Sequence, residues 1–322
     1  MLFVEDAKTV SAVAASHLPK IAVLLSTYNG EAYLAAQMES LAAQDSVVVD
    51  VFARDDGSTD GTVGVLRAYA HLWPRLAEIC SSSNLGPATS FLELLRSVPV
   101  DFDYYAFCDQ DDVWMPDKLS RAVQKLLTTD SGTPALYCSR TLCVDQDLRP
   151  IGERPLMGTG RFEQLLFTNI AAGNTMVLNA AAAAIIRLSA PGRAVIMHDW
   201  WCALVISALG VVVCDEHSSI LYRQHQLNVL GAAPGRLAGL ALQFKIFIRN
   251  PRSFYPIHAQ AAELLRLYGD QIALRERRIA EALVASRRSL VSRIRYAAFG
   301  KIARWDLLGS VGTRLLIAFD WY

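Results

Sequence analysis

Short apolar runs alternate along the chain with stretches whose apolar residues recur at helical spacing. The first run, residues 21–25, is uninterrupted, which is typical of a strand buried on both faces. Strands and helices continue to alternate up to about residue 214, which predicts an α/β domain with a mostly parallel central sheet. The other predicted strands are residues 47–53, 77–81, 104–108, 135–139 and 211–214, and the predicted helices are residues 32–44, 59–69, 90–97, 116–127, 180–188 and 200–209.

The pattern changes near residue 235 and predicts three segments: a leader at 1–19, the α/β domain at 20–235, and a helical region at 236–322. From Arg236 onward the chain carries 15 Lys and Arg against 6 Asp and Glu, whereas residues 1–235 carry 16 against 25. A basic helical region on an acidic body favours an anionic partner. A solvated helical face, or helices packed on the domain or in a dimer, would give the same composition.

Composition limits the class of protein. Of the 322 residues, 52% are hydrophobic and 19% are charged, which provides for a large core and excludes wholesale disorder. The six cysteines form no CxxC pair, no signal-peptide order is seen, and no apolar stretch approaches the roughly 18 residues of a membrane span. These features predict a cytoplasmic protein with reduced thiols and without a nucleic-acid partner.

Polar turns follow three of the predicted strands. They contain Tyr28 with Asn29, Asp55 with Asp56, and the run Asp109-Gln110-Asp111-Asp112. Ligands of α/β sheets bind beyond the carboxyl ends of parallel strands, so these turns are expected to meet at one crevice. The chain has no GxGxxG or GxxxxGK[ST] loop after a strand, which disfavours an ordinary dinucleotide or P-loop site.

Asp109 and Asp111 form the strongest candidate metal site. Carboxylates two positions apart in a tight turn can address one hard cation, and Mg²⁺ or Mn²⁺ would be preferred by such oxygen ligands. An Asp at a strand end can also form a turn or cap a helix. Three carboxylates within four positions repel one another, however, and this repulsion favours the metal interpretation.

The other chemistry-bearing positions each have two interpretations. Asp56 lies in a common Asp-Gly turn, or accepts the N–H of a pyrimidine base. Asp199 caps the helix that follows, or serves as a general base. His225 is a metal ligand, a hydrogen-bond donor to a phosphate, or a surface residue.

Five stretches together make the chain resemble the family 2 glycosyltransferases, which have the GT-A fold, a Rossmann-like α/β arrangement. They occur in the family's order and cover roughly residues 20–230. The stretches are residues 23–30 (VLLSTYNG), 54–62 (RDDGSTDGT), 84–86 (NLG), 108–119 (CDQDDVWMPDKL) and 198–201 (HDWW).

The resemblance implies a role for each matching residue. Asp199 matches the catalytic base, and Asp109 and Asp111 match the DxD motif, with Asp111 the direct metal ligand. His225 falls where relatives place a His near the metal or diphosphate, and Gly173 and Asn174 fall in the acceptor and diphosphate pocket. The residues implied in nucleotide-sugar binding are Ser26, Tyr28, Asn29, Asp56, Gly86, Asp109, Asp111, Gly173 and Asn174.

The implied enzyme is a metal-dependent, inverting glycosyltransferase of polysaccharide or glycolipid synthesis. The form of its motifs is most similar to bacterial rhamnosyltransferases, so dTDP-rhamnose or a UDP-sugar is the expected donor. A saccharide or lipid-linked acceptor, contact with the inner face of the plasma membrane, and a homo-oligomer are compatible with this interpretation. The alternatives are a nucleotidyltransferase, which would want a basic Gly-rich first loop, and a sugar-nucleotide binding protein without catalytic activity.

Overall fold

The computed structural model describes residues 18–73, 75–80, 83–130, 132–188, 195–224, 257–304 and 307–320. The predicted leader up to residue 17, the predicted boundary at 235 and His225 lie outside these residues. The strands are β1 (Lys20–Thr27), β2 (Val48–Asp55), β3 (Leu76–Cys80), β4 (Tyr104–Cys108), β5 (Val113–Trp114), β6 (Ala135–Val144), β7 (Pro150–Arg154), β8 (Val177–Asn179) and β9 (Val211–Arg223). The helices are α1 (Glu31–Ala42), α2 (Thr62–Leu72), α3 (Pro87–Ser97), α4 (Lys118–Leu126), α5 (Phe162–Leu165), α6 (Ala180–Leu188), α7 (His198–Leu209), α8 (Ile257–Tyr268), α9 (Leu274–Ser286), α10 (Leu290–Phe299) and α11 (Leu307–Ala318).

All these strands lie in one sheet with the order β3-β2-β1-β4-β8-β6-β9-β5, and β7 pairs with β6. The first four strands pair in parallel, as does β6 with β9. Strand β8 is antiparallel to β4 and β6, and β5 and β7 are antiparallel edge additions. The predicted α/β fold is confirmed, and its sheet is mixed in the second half. The turn between β6 and β7 is too short for the crossover that a parallel pair requires.

Strand β1 has helices on both sides, which explains its unbroken apolar run. Residues 21–25 are all fully buried. Side chains of a strand alternate between the two faces of a sheet, so Ala22 and Leu24 enter one core cluster while Ile21, Val23 and Leu25 enter the other. The sheet therefore separates two hydrophobic cores, and β1 lies between them and contributes side chains to both.

The C-terminal helices pack on the core that contains α7. Tyr268, Tyr296 and Ile317 belong to that cluster, and the Tyr268 hydroxyl donates to the carbonyl of Ile185 over 3.0 Å. None of the described helices has the length and hydrophobicity that a bilayer crossing requires.

Candidate active site

The carboxyl ends of β1, β2 and β4 lie side by side, as the parallel pairing requires. Thr27 is level with Asp55, and Leu25 is level with Cys108. The three polar turns that follow these strands therefore meet at one edge of the sheet, as the sequence predicted.

The side chain of Gln110 ties the turn after β4 to the turn after β1. Its amide oxygen accepts the N–H of Tyr28 over 2.8 Å, and its amide nitrogen donates to the Tyr28 carbonyl over 2.9 Å. A Cβ on Gly30 would lie 2.1 Å from the Gln110 Oε1, so this contact requires glycine at position 30. The Tyr28 side chain, which is expected to contact the nucleotide, is half exposed.

Asn29 and Asp55 hold the turn after β2. Asn29 adopts a φ of 48°, and its Oδ1 accepts the N–H of Thr59 over 2.8 Å. Asp55 is buried and accepts both the Thr27 hydroxyl at 3.0 Å and the Ser58 N–H at 2.9 Å. Asp55 thereby fixes the shape of the turn and leaves ligand contacts to its neighbours.

Asp56 holds the loop before α3 against the end of β2. Its buried carboxylate accepts the N–H groups of Leu85 and Gly86, each over 2.9 Å, and lies 3.3 Å from the Arg54 guanidinium. Gly86 has a φ of +75°, a conformation that side-chain-bearing residues rarely adopt. The expected contacts of Asp56 and Gly86 with a nucleotide stay predictions.

Ser26 forms the floor of this part of the crevice with Ser90 of α3. Their hydroxyl oxygens are 2.7 Å apart. Among the described residues Ser26 therefore has Ser90 as its side-chain hydrogen-bonding partner, and its hydroxyl retains further capacity for a ligand.

Asp109 has the electrostatic environment of a cation-binding carboxylate. Burial, followed by the nearby charges of Asp111 and Asp199, raises the pKa of Asp109 to about 8. No hydrogen bond or ion pair to its side chain occurs in the part of the chain that the structure describes. The carboxylates of the DxD turn and of α7 thus belong to one electrostatic cluster.

Asp112 is the structural member of the acidic run. It is fully buried, and its carboxylate accepts the side-chain amide of Asn174 and the backbone N–H of Arg223. Burial and then the charges of Asp111 and Asp109 raise the pKa of Asp112 well above its usual range. Asp112 therefore links the DxD turn to the segment that contains Asn174 and to the end of β9.

Lys118 places a second buried ionisable group beneath the turn. Its ammonium lies 3.5 Å from the centre of the Trp114 ring, and its charge interacts with Asp112. Burial lowers the pKa of Lys118 to about 7, although Cys108 and Asp112 oppose this shift. The cation–π contact and Asp112 offset part of the cost of burying the amine.

Asp199 is the second residue of α7, so it does not occupy the N-cap position, which belongs to Met197. Its carboxylate accepts the N–H of Trp200 over 2.6 Å. A Cβ on Gly173 would lie 3.2 Å from the Cβ of Asp199 and 2.6 Å from His198 Nε2. Gly173 therefore lets its loop approach the start of α7 closely, beside the candidate base.

His198 forms the apolar side of this junction. Its ring stacks on Phe91 with centroids 4.1 Å apart, and it meets Phe107 edge-on at 4.9 Å. Burial lowers the pKa of His198 to about 4, against the opposing charge of Asp199. The imidazole is therefore neutral near pH 7.

The donor set at the DxD turn fits a divalent cation shared with a ligand. Among the described residues, no group of three or more His, Cys, Asp or Glu side chains forms a metal cage. Mg²⁺ is commonly held by only one or two carboxylates together with substrate phosphates. Asp109, whose carboxylate has no partner in the described residues, together with Asp111 satisfies that requirement, whereas Asp112 is already occupied.

Two residues with clear positioning contacts were not among the sequence-based candidates. In the sequence, Gln110 is one residue of the acidic run, and no pattern there indicates its contacts. Arg223 donates from Nε to the Asp111 carbonyl over 2.9 Å, donates to the Gln146 carbonyl, and lies over the Tyr33 ring at 4.7 Å. Its partners are 77 or more residues away, so local spacing carries no signal for these contacts.

The first half of the chain is similar to known protein sequences. The family model described as glycosyl transferase family 2 matches residues 22–168. A dTDP-rhamnosyl transferase from Shigella flexneri is 27% identical over 220 residues, which are 65% of this chain and 74% of that protein. An uncharacterized glycosyltransferase of Nostoc is 32% identical over 111 residues, which are 34% of each chain.

Solved structures show the same fold. The structure of residues 1–349 of Staphylococcus aureus TarS in complex with UDP-GlcNAc aligns with a TM-score of 0.58 at 16% identity, covering 93% of this chain and 81% of that one. The same TarS segment in complex with UDP aligns with a TM-score of 0.54 at 14% identity, covering 94% and 91%. The GT-A fold expected from the sequence is confirmed, including the helices that follow the sheet domain.

Proposed function

Because the family 2 glycosyltransferase model matches residues 22–168, we propose that this chain belongs to that family and transfers a sugar, with inversion, from a nucleotide diphosphate donor to an acceptor hydroxyl. The observation that carries the proposal is the common electrostatic cluster of Asp109, Asp111 and Asp199. The three polar turns lie at one edge of the sheet, and the charge of Asp199 acts on Asp109 there, which supports a direct displacement.

The donor is proposed to lie across the turns after β1, β2 and β4. Ser26, Tyr28, Asn29, Asp56 and Gly86 would bind its base and ribose. Asp109 and Asp111 would hold Mg²⁺ or Mn²⁺ with the diphosphate oxygens. When bound, that cation supplies positive charge that stabilises the departing nucleoside diphosphate.

Asp199 is proposed as the general base. Its carboxylate would take the proton of the acceptor hydroxyl as the acceptor oxygen forms a bond to the anomeric carbon. The bond from that carbon to the diphosphate oxygen breaks on the opposite face, with an oxocarbenium-like transition state. Gly173 and Asn174 border this space, and Gly173 leaves room beside Asp199. Holding donor and acceptor in line would supply much of the acceleration.

The similarity to a dTDP-rhamnosyl transferase makes dTDP-rhamnose the first donor to test, with a saccharide or lipid-linked acceptor. The full chain should be assayed with Mn²⁺ against dTDP-, UDP- and GDP-sugars, following the nucleoside diphosphate released. Absence of turnover with dTDP-rhamnose beside turnover of another donor would reject the rhamnose assignment only.

The base assignment is tested by Asp199→Asn. Loss of a positioned general base should lower kcat by about 10²- to 10⁴-fold. Donor affinity, measured by calorimetry, should stay within about twofold, because Asp199 is proposed to act on the acceptor hydroxyl and not on the donor. A variant that transfers sugar at the wild-type rate removes Asp199 from the base role. The nucleotidyltransferase alternative predicts release of pyrophosphate instead of a nucleoside diphosphate.

A further inference from the structure

Helices α10 and α11 form an antiparallel pair with one face on the protein. Tyr296, Ala297 and Ile317 enter the core cluster of α7. Arg314 donates to the carbonyls of Ala297 and Gly300. We call this pair, with the residues that follow it to 320, the C-terminal hairpin. This packing fixes the hairpin to the core that contains α7, so the opposite face of the hairpin points away from that core.

The C-terminal hairpin also exposes large apolar side chains. On α10, Val291 is 75% exposed and Phe299 is 86% exposed. On the second helix and just beyond its end, Val311, Leu315 and Phe319 recur every four residues and are 47–60% exposed, so they form a stripe along one side. The apolar surface of the hairpin comprises Leu290, Val291, Ile294, Phe299, Val311, Leu315 and Phe319.

Exposed apolar side chains are more concentrated on the hairpin than on the rest of the described surface. Seven of the 17 large hydrophobic residues that are exposed among the described residues fall within residues 290–319, and the other ten are spread over residues 18–274. Exposed apolar residues that occur singly are ordinary, whereas clustered ones mark an interaction surface. The clustering therefore indicates that the hairpin is an interaction surface.

The charge of the hairpin selects the partner. Residues 287–320 contain seven Lys and Arg against two Asp, and the seven are Arg287, Arg288, Arg293, Arg295, Lys301, Arg304 and Arg314. Arg287 and Arg293 are paired with Asp320. Arg288, Arg295 and Lys301 are exposed and have no ion pair within the described ranges. A second copy would set two positive surfaces against each other, so an anionic partner is favoured.

A cleft of about 350 Å³ beside the hairpin adds to this positive surface. It lies between Arg161 at the start of α5 and the segment that joins α10 to α11, and Lys301 and Arg314 line it. Glu163, the one acidic residue among its lining side chains, is paired with Arg275. The cleft could therefore accept a phosphate group without meeting an unpaired carboxylate.

We propose that the C-terminal hairpin docks on the surface of an anionic lipid bilayer. Its apolar side chains enter the boundary between headgroups and acyl chains, and Arg288, Arg295 and Lys301 contact lipid phosphates. Helices of 10 and 12 residues span about 15–18 Å, which is too short to cross a roughly 30 Å hydrocarbon layer and suits helices that lie in the interface. This inference concerns a different surface from the proposed catalytic crevice.

Flotation of the full chain with vesicles tests the proposal. The wild type should float with vesicles of phosphatidylcholine and phosphatidylglycerol and much less with phosphatidylcholine alone. The double variant Val291→Glu/Leu315→Glu should reduce the partition coefficient at least about tenfold, since each change removes one aliphatic side chain that the bilayer would bury. Leu127→Glu is the matched control because Leu127 is 68% exposed at the end of α4, which packs on the other face of the sheet.

Two outcomes would overturn the docking proposal. The wild type could fail to float with anionic vesicles, or the double variant could float as the wild type does. In the second case, conversion of a dimer into a monomer by the double variant in gel filtration would assign the surface to a second copy. Thermal melting checks that both variants are folded. Release of nucleoside diphosphate from the donor, measured without lipid, tests the proposed function separately.

Discussion

The acidic run after β4 contains chemically identical side chains in different surroundings. The Asp112 carboxylate is enclosed and hydrogen-bonded by Asn174 and Arg223. Asp109 is half-buried, without a side-chain partner in the described residues, and next to the charges of Asp111 and Asp199. Environment therefore divides the run into a structural carboxylate and a pair that suits a cation.

Asp111→Asn should abolish the response of transfer to Mn²⁺ and lower kcat/KM by at least about 100-fold, because an amide is a weaker ligand and carries no charge. The measurement is a Mn²⁺ titration of donor turnover. Asp117→Asn is the control, since Asp117 follows the same turn and its side chain is half exposed. Equal loss in both variants would point to general damage to the turn, and full activity of Asp111→Asn would contradict the metal assignment.

Asn174→Leu should lower the free energy of unfolding by about 1–3 kcal/mol, because Asp112 would lose its side-chain donor inside the protein. Urea denaturation measures the change. Asn169→Leu is a suitable control, since its amide oxygen is buried without a hydrogen-bond partner in the described residues. A loss at position 174 no larger than that at position 169 would show that the Asn174 contact contributes little.

The strands of the sheet could be predicted from the sequence where both faces of a strand are buried. Strands β1 and β4 are continuous apolar runs, and their predicted and observed positions agree. Strand β5 has two residues, and β7 is largely exposed, so neither carries a hydrophobic period. The apolar pattern predicts that β9 ends at Cys214, whereas the strand continues to Arg223, and the carboxylate of Asp215 within it binds Arg121 and Tyr137 at 2.6 and 3.1 Å.

The candidate site follows the same rule. Its main parts were predictable because parallel strands bring their carboxyl ends together, whatever the loops contain. The contacts of Gln110 with Tyr28 and of Asn174 with Asp112 join residues 82 and 62 positions apart. Such contacts depend on the final packing of loops, and no local pattern encodes them.

The contact between Gly30 and Gln110 gives a test at the level of these two turns. Gly30→Ala should destabilise the protein by about 1–3 kcal/mol, since the new methyl group displaces the Gln110 side-chain amide from its two hydrogen bonds to Tyr28. In the Gln110→Ala background the same change should cost much less, because the overlapping amide is gone. Urea denaturation of the four proteins in this double-mutant cycle gives the coupling. Equal costs of Gly30→Ala in both backgrounds would exclude steric overlap as the cause.

At the scale of the whole molecule, the C-terminal helices complete a core that the sheet domain begins. His258 of α8 lies in this junction, buried, with Nε2 3.2 Å from the Ser286 hydroxyl. Burial and then the charge of Arg287 lower the pKa of His258 to about 4, although Asp320 opposes the shift. The stability of the junction should therefore depend on pH.

The unfolded chain binds a proton at His258 near pH 6.5, whereas the folded protein does so only near pH 4. The contribution is complete above pH 6.5 and is lost as pH falls toward 4, by up to about 3 kcal/mol. His258→Gln should reduce the pH dependence of unfolding in that window, and the part that remains is expected from His198, whose pKa burial also lowers to about 4. His217→Gln, at a far more exposed histidine, is the comparison variant. Parallel pH profiles of wild type and His258→Gln would contradict the assignment.

The hydrogen bond between Asp112 and Asn174 should restrict how these two positions change in evolution. Replacement of either residue alone leaves a polar group without its partner inside the protein, at a cost that selection would oppose. Substitutions at these two positions should therefore be inherited as pairs among related sequences. Positions 109 and 111, whose proposed partner is an ion from solution, should not covary with position 174.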